Sequence, residues 1–184
     1  MRFLYLFVIG LCLAGCQAPS LNQFKVNTLT HEQPVPLNVS DILVVSTDMN
    51  FDRMPHIENT LPVTPEQALL QWANHRFQAV DETSPVHVVL TIKQADITQT
   101  EEKSANWYTF DNITYRLSYQ VEIVFMRQQD IVYQYAVDGW ESSSLPQRSS
   151  IADKEETWMK MVNAMIRKVN QQIMQSIPPR YSGA

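Results

Sequence analysis

Residues 114 to 125 constrain the fold of this chain more than any other stretch. Tyr115, Leu117, Tyr119, Val121, Ile123 and Phe125 alternate with Thr114, Arg116, Ser118, Gln120 and Glu122. A period of two sends the first set to one face of a β-strand and the second set to the other. One face is apolar and the other polar, the pattern of an antiparallel sheet covered on one side. The rest of the chain must extend that sheet and supply a layer to cover its apolar face.

The flanking sequence offers both. Gln128-Gln129-Asp130 reads as a hairpin turn, and Ile131 to Trp140 as the return strand, with Ile131, Tyr133, Tyr135 and Val137 on one face. Upstream, Pro85 introduces Val86, Val88, Leu90 and Ile92 on one face of another strand, and Ala95 and Ile97 prolong the alternation. Thr98 to Asn106 turns polar, and Glu141 to Ser150, rich in serine, reads as a loop. The short apolar run from Asp41 to Ser46 reads as a strand buried on both faces.

Two helices complete the inventory. Thr64-Pro65-Glu66-Gln67 is a helix start with a capping residue, a proline at the first turn and Gln at the capping-box position. Its stripe is Leu69, Trp72, Ala73, Phe77 and Val80, and Arg76 lies at the stripe's edge. The second helix runs from about Ile151, after Ser150 as cap, to Ile177, before Pro178-Pro179. Trp158, Met161, Val162, Met165, Val169, Ile173 and Ile177 form its apolar side, and Met159 and Met174 are candidates to face outward. The order β-α-β-β-β-α predicts an α+β fold. It is a two-layer sandwich with two amphipathic helices on one face of a mainly antiparallel four-stranded sheet.

The start of the chain is of another kind. Arg2 precedes an apolar run from Phe3 to Leu13 and then Leu13-Ala14-Gly15-Cys16. This is the layout of a secretory leader, and the run is too short to stay as a membrane span. The small-small-Cys ending resembles the bacterial lipobox. The resemblance implies cleavage before Cys16, lipidation of Cys16 (palmitate among the acyl chains) and attachment to a membrane. Gln17, where lipoproteins kept in the inner membrane usually carry Asp, resembles the default export signal. That implies the periplasmic face of the outer membrane of a Gram-negative bacterium. Four segments follow: residues 1–15 as leader, 16–35 as acylated Cys and flexible tether, 36–178 as a single α+β domain, and 179–184 as a loose tail. A polar tether of about 20 residues reaches roughly 25 Å on average.

Composition narrows the chemistry. The net charge of −5 and the lack of a basic cluster argue against a nucleic-acid partner. Cys12 lies in the leader and Cys16 is the acylation site, so the domain holds no thiol for a disulfide, a metal or a nucleophile. Of the four histidines, His31 lies in the tether, and His75 and His87 fall on polar faces. His56 sits in a proline-bearing loop with Asp48, Asp52 and Glu58, without diagnostic spacing for a metal or acid–base site. Ser142-Ser143-Ser144 lacks the glycines of a nucleophile elbow. No catalytic residue, metal or cofactor is expected. The candidate partner contact is Trp107, Tyr108 and Phe110, aromatic residues beside the charged Glu101, Glu102 and Lys103.

The first helix, with Ala68, Trp72, Ala73, Arg76, Phe77, Ala79 and Val80, and the following β-β-β-long-helix order with Trp158 resemble an uncharacterised family of small proteobacterial envelope lipoproteins. The likeness covers roughly residues 37 to 177, although Asp81 stands where that family tends to carry Gly. In element order the domain is also similar to the auxiliary lipoproteins of ABC-type envelope transport systems. The resemblance implies a non-enzymatic binding or accessory subunit of an envelope transport or assembly complex, with a membrane and an envelope protein as partners. The alternative is a carrier of lipid or another small apolar ligand, held between helices and sheet.

Overall fold

The computed structural model describes residues 32–47, 55–102 and 111–183. Cys16, Trp107, Tyr108 and Phe110 lie outside the described residues. Six strands and two helices follow in chain order: β1 (Val35–Leu37), β2 (Ile42–Ser46), α1 (Pro65–Arg76), β3 (Phe77–Ala79), β4 (Val86–Glu102), β5 (Asn112–Arg127), β6 (Asp130–Pro146) and α2 (Ile151–Ser176). The main sheet has the order β2-β4-β5-β6, and a separate two-stranded sheet pairs β1 with β3. β2 runs parallel to β4, and the other main-sheet pairs are antiparallel. The fold is the expected α+β sandwich of two helices and a mainly antiparallel four-stranded sheet.

β5 carries the core as its alternation predicts: Tyr115, Leu117, Tyr119, Val121, Ile123 and Phe125 are all buried. β4 keeps its apolar residues on that side by a β-bulge between Ile92 and Gln94. The bulge inserts Lys93 as an extra residue and shifts the inward phase from even to odd positions. Val86, Val88, Leu90 and Ile92 are therefore buried together with Ala95 and Ile97.

Both helix starts behave as their sequences require. Thr64 accepts from the Gln67 N–H and Gln67 returns a bond to the Thr64 N–H, a complete capping box. Ser150 and Asp153 do the same for α2, and the hydrogen bonds from Ser150 hold the Asp153 carboxyl below its usual pKa. Trp158, Met161, Val162, Met165, Ile166, Val169 and Ile173 of α2 are buried against the sheet. Each such side chain is worth roughly 1.5–3 kcal/mol of burial. The Trp158 ring meets Tyr115 edge-on at 5.5 Å.

Several expectations need correction. β6 does not end at Trp140: it continues through the serine run to Pro146, because every residue from Glu141 to Pro146 finds a partner on β5. β4 likewise extends to Glu102. α1 stops at Arg76, since Phe77–Ala79 leaves the helix to pair with Val35–Leu37. Phe77 is buried from that strand, whereas Val80 is 48% exposed. β2 is not buried on both faces, because Leu43 is 51% exposed on the sheet's margin. A second bulge, between Phe125 and Met126, turns Ile131 out of the face shared by Tyr133, Tyr135 and Val137. Met159 is buried and Met174 packs on the core, so α2 presents no methionine surface there. The tail from 179 to 183 is tied down: Tyr181 is buried and stacks on Phe125 at 4.6 Å, and the Gly183 N–H bonds the Pro36 carbonyl.

Gly139 is required by its cross-strand partner. A Cβ there would stand 2.5 Å from the Tyr119 hydroxyl oxygen and 2.8 Å from the ring carbon that bears it. Gly139→Ala is expected to destabilise the domain by about 1–3 kcal/mol, the usual cost of overpacking. The penalty should shrink in a Tyr119→Leu background if the clash is its cause, measured by urea unfolding as a double-mutant cycle. The two-residue turn between β5 and β6 holds Gln128 at φ 57°. Gln128→Gly should relieve that conformation and stabilise by about 0.5–1 kcal/mol in the same assay.

Candidate interaction surface

The described residues place the domain's two ends unambiguously. At one end Arg76, the last residue of α1, gathers three elements. Its Nε donates to Asn170 Oδ1 of α2 at 2.8 Å and lies 3.3 Å from the Glu32 carboxylate, and its Nη1 donates to the Gln33 carbonyl. The guanidinium is a clamp that fixes residues 32 and 33 to both helices. The expected tether is thus bound to the domain before residue 35. The same end holds the start of β4 and the close of the β5–β6 hairpin, where Val86 stands opposite Arg127.

The opposite end is formed by Glu102 of β4, Asn112 of β5 and Pro146 of β6. β5 separates the two ends by roughly 50 Å at about 3.4 Å per residue. The candidate aromatic residues Trp107, Tyr108 and Phe110 lie outside the described residues.

Two edges bound the sheet, and they differ. Along β4, β2 covers Val88 to Ile92. Beyond the Lys93 bulge the edge is closed by residues 55–58. The Ile57 N–H bonds the Ile97 carbonyl at 3.2 Å and the Gln99 N–H bonds the Pro55 carbonyl at 2.8 Å. Buried Glu58 then takes the Ile97 N–H on Oε1 at 2.6 Å, and His56 Nδ1 lies 3.5 Å from the same oxygen. Glu58 and His56, noted in sequence as imaginable chemistry, are here the closure of a sheet edge. Asp48 and Asp52 of that loop lie outside the described residues. Among the described residues no group of three His, Cys, Asp or Glu side chains is placed to hold a metal ion. No described helix is long and apolar enough to cross a membrane.

The face of the sheet away from the core carries paired charges and one aromatic. Lys93 Nζ meets Glu122 Oε2 at 2.6 Å, and Gln134 donates to the other oxygen of the same carboxylate. These bonds, Lys93 first, hold Glu122 below the ordinary glutamate pKa. Trp140, 56% exposed, lies under the Arg116 guanidinium at 4.9 Å, a cation–π contact. On the core side of β6, Glu141 pairs with Lys168 of α2 and raises its pKa. Burial, and then the Glu141 charge, push up the Tyr119 hydroxyl. Burial also pushes up Tyr115, partly offset by the Trp158 indole N–H.

Trp140 and the long β6 edge do not stand out in sequence, because the serine run lacks strand-forming residues. The signal was present: Trp140, Ser142 and Ser144 continue the outward phase of Gln134, Ala136 and Asp138.

No protein-family model matches this chain, and no curated protein sequence matches it. Solved structures do. A minor lipoprotein from Acinetobacter baumannii aligns at 11% identity and TM-score 0.43, over 75% of this chain and 92% of that one. A homolog of neuraminyllactose-binding hemagglutinin from Helicobacter pylori aligns at 9% identity and TM-score 0.44, over 81% and 91%. Rare lipoprotein B from Shewanella oneidensis aligns at 14% identity and TM-score 0.39, over 73% and 94%.

Because the folded-state pKa of Glu122 is depressed, its stabilising contribution is complete above the ordinary glutamate value of about 4.3. It is lost as pH falls through the lowered value. Acid titration of the urea midpoint should therefore fall more steeply in the native chain than in Glu122→Gln. Parallel titrations would contradict the assignment.

Proposed function

We propose that this chain is a lipid-anchored, non-enzymatic binding or accessory subunit of an envelope assembly. It is held through Cys16 at the periplasmic face of the outer membrane. The observation that carries the reading is Leu13-Ala14-Gly15-Cys16 behind Arg2 and an apolar run. Among the described residues the helices cover one side of the sheet only, which supports a role in contact rather than in chemistry. The partners are the membrane and another envelope protein, and the aromatic residues Trp107, Tyr108 and Phe110 belong to the proposed contact.

The carrier reading draws less support. Large side chains occupy the space between helices and sheet: Tyr115, Phe125, Met165, Ile166 and Ile173 are among the largest that are fully buried.

Anchoring is tested by feeding cells an alkyne analogue of palmitate. The native chain should incorporate label and sediment with outer membranes, and Cys16→Ala should do neither; label retained by Cys16→Ala would refute the anchor. The accessory role is tested by crosslinking in cells followed by capture of the tagged full-length chain. A defined set of envelope proteins should be recovered with the acylated form, and recovery should fall at least about tenfold (1.4 kcal/mol) for Trp107→Ala with Phe110→Ala. Recovery of lipid alone would move the carrier reading ahead.

A further inference from the structure

We infer that the outer edge of β6 is a docking site for an extended strand of the partner protein, an inference that rests on the accessory-subunit reading. The register decides which groups are offered. The Gln147 N–H donates to the Asp111 carbonyl at 2.9 Å, and 147 stands opposite 111 in the register that pairs Asn112 with Pro146. From that phase, odd residues of β6 exchange hydrogen bonds with β5, and even residues turn their N–H and C=O outward. Pro146, which has no N–H, falls at an even position, where β5 asks for none. Gln134, Ala136, Asp138, Trp140, Ser142 and Ser144 therefore present a continuous outward ladder. All six are exposed, and among the described residues no strand pairs with this edge.

Soluble proteins ordinarily blunt such an edge with Lys, Pro, a bulge or a short length. The β4 edge of this molecule is blunted: β2 is five residues long, residues 55–57 continue the cover, and the Glu58 carboxylate takes the next amide. β6 has 17 residues, contains no Lys or Arg, and reaches Pro only at its last position. Its register is continuous along the whole ladder, because the only irregularity in the β5–β6 pair lies before Tyr133. Two of the five exposed large apolar side chains, Ile131 and Trp140, belong to it.

Charge selects the occupant. The charged side chains of β6 are Asp130, Asp138 and Glu141, all acidic, and Glu141 is engaged by Lys168. Of the outward-facing ladder residues, Asp138 is the charged one and Trp140 the large apolar one. A complementary strand places a basic side chain opposite Asp138 and an apolar one opposite Trp140, two residues away on the same face. A second copy fits worse. The twofold antiparallel registers with the fullest overlap, centred at residues 137 to 139, set the two Asp138 carboxylates opposite or diagonal to each other. The occupant is an extended, alternating basic–apolar segment of another protein, added by β-augmentation.

The test uses the full-length acylated protein in detergent micelles and the peptide acetyl-Thr-Val-Thr-Lys-Thr-Val-Thr-amide, read by residue-resolved hydrogen exchange. The peptide, with its Lys opposite Asp138, should slow exchange at amides 136, 138, 140 and 142 by about tenfold (1.4 kcal/mol) and leave the odd amides unchanged. Replacing its Lys by Glu, or N-methylating alternate peptide amides, should weaken binding at least about tenfold (the same 1.4 kcal/mol). Ala136→Pro, which deletes an outward N–H and spares the β5 ladder, should do the same. The N-methylated peptide keeps the test decisive if that variant fails to fold. The inference is overturned if the even amides do not respond, if the Glu peptide binds as well, or if they are protected without peptide in proportion to protein concentration, which would mean a second copy. If the envelope partner is captured equally by wild type and Ala136→Pro, the edge assignment falls and the accessory reading stands. If wild type captures no partner, the accessory reading falls, and the peptide exchange still decides the edge.

Discussion

A single extra residue, Lys93, keeps seventeen residues of β4 on the right side of the protein. Without a bulge, strict alternation from Val86 to Ile92 would send Ala95 and Ile97 into solvent and turn their polar neighbours inward. With it, both halves of the strand bury their apolar side chains against the same layer. The displaced Lys93 is itself used, because its ammonium bridges to Glu122 on the open face. The bulge also coincides with the end of β2. There the edge passes from a parallel strand to the antiparallel cover of residues 55–57. One local irregularity thus sets the core, the outer face and the change of edge protection.

The contrast between the two edges is the main architectural asymmetry. A backbone N–H that no strand satisfies needs another partner, and at Ile97 the chain supplies a carboxylate from Glu58, itself buried. Burying a polar side chain is costly unless it is hydrogen-bonded, so this edge is closed at some expense. Along β6 no comparable device appears among the described residues. Gly139 and the serines make the strand narrow. The Tyr119 hydroxyl against Gly139 and the Glu141–Lys168 pair fasten its inner side to the core.

Much of the fold was legible in the residues. β5 could be read in full because one face is uniformly apolar and the other polar, and both helix starts were readable because capping is a local matter of Thr64 with Gln67 and Ser150 with Asp153. What escaped depends on partners distant in sequence. Serine has no strong strand preference of its own, so Ser142 to Ser144 become a strand only because β5 lies opposite. Phe77 and Val80 fit a helical stripe, yet pairing with Val35–Leu37 wins that segment for β3. Ile131 follows the alternation of its strand, and only the β5–β6 bulge shows that it points outward. The candidate surface was least legible. An edge is defined by the strand that is absent from it, and Trp140 next to Arg116 is a cross-strand relation that linear spacing does not reveal.

The Arg76 clamp gives the asymmetry a direction. A guanidinium shared by Glu32, Gln33 and Asn170 is well suited to planar donation to several acceptors at once. It holds residues 32 and 33 against both helices, ahead of the first strand. The long strands run from this root toward the far end, so β6 lies along the axis of the body instead of across it. A strand added there would extend the sheet without passing over α1 or α2, and it would leave the root and its clamp untouched. The proposed anchor and the proposed strand-docking edge would then be separable, because they fall to different residues on different elements.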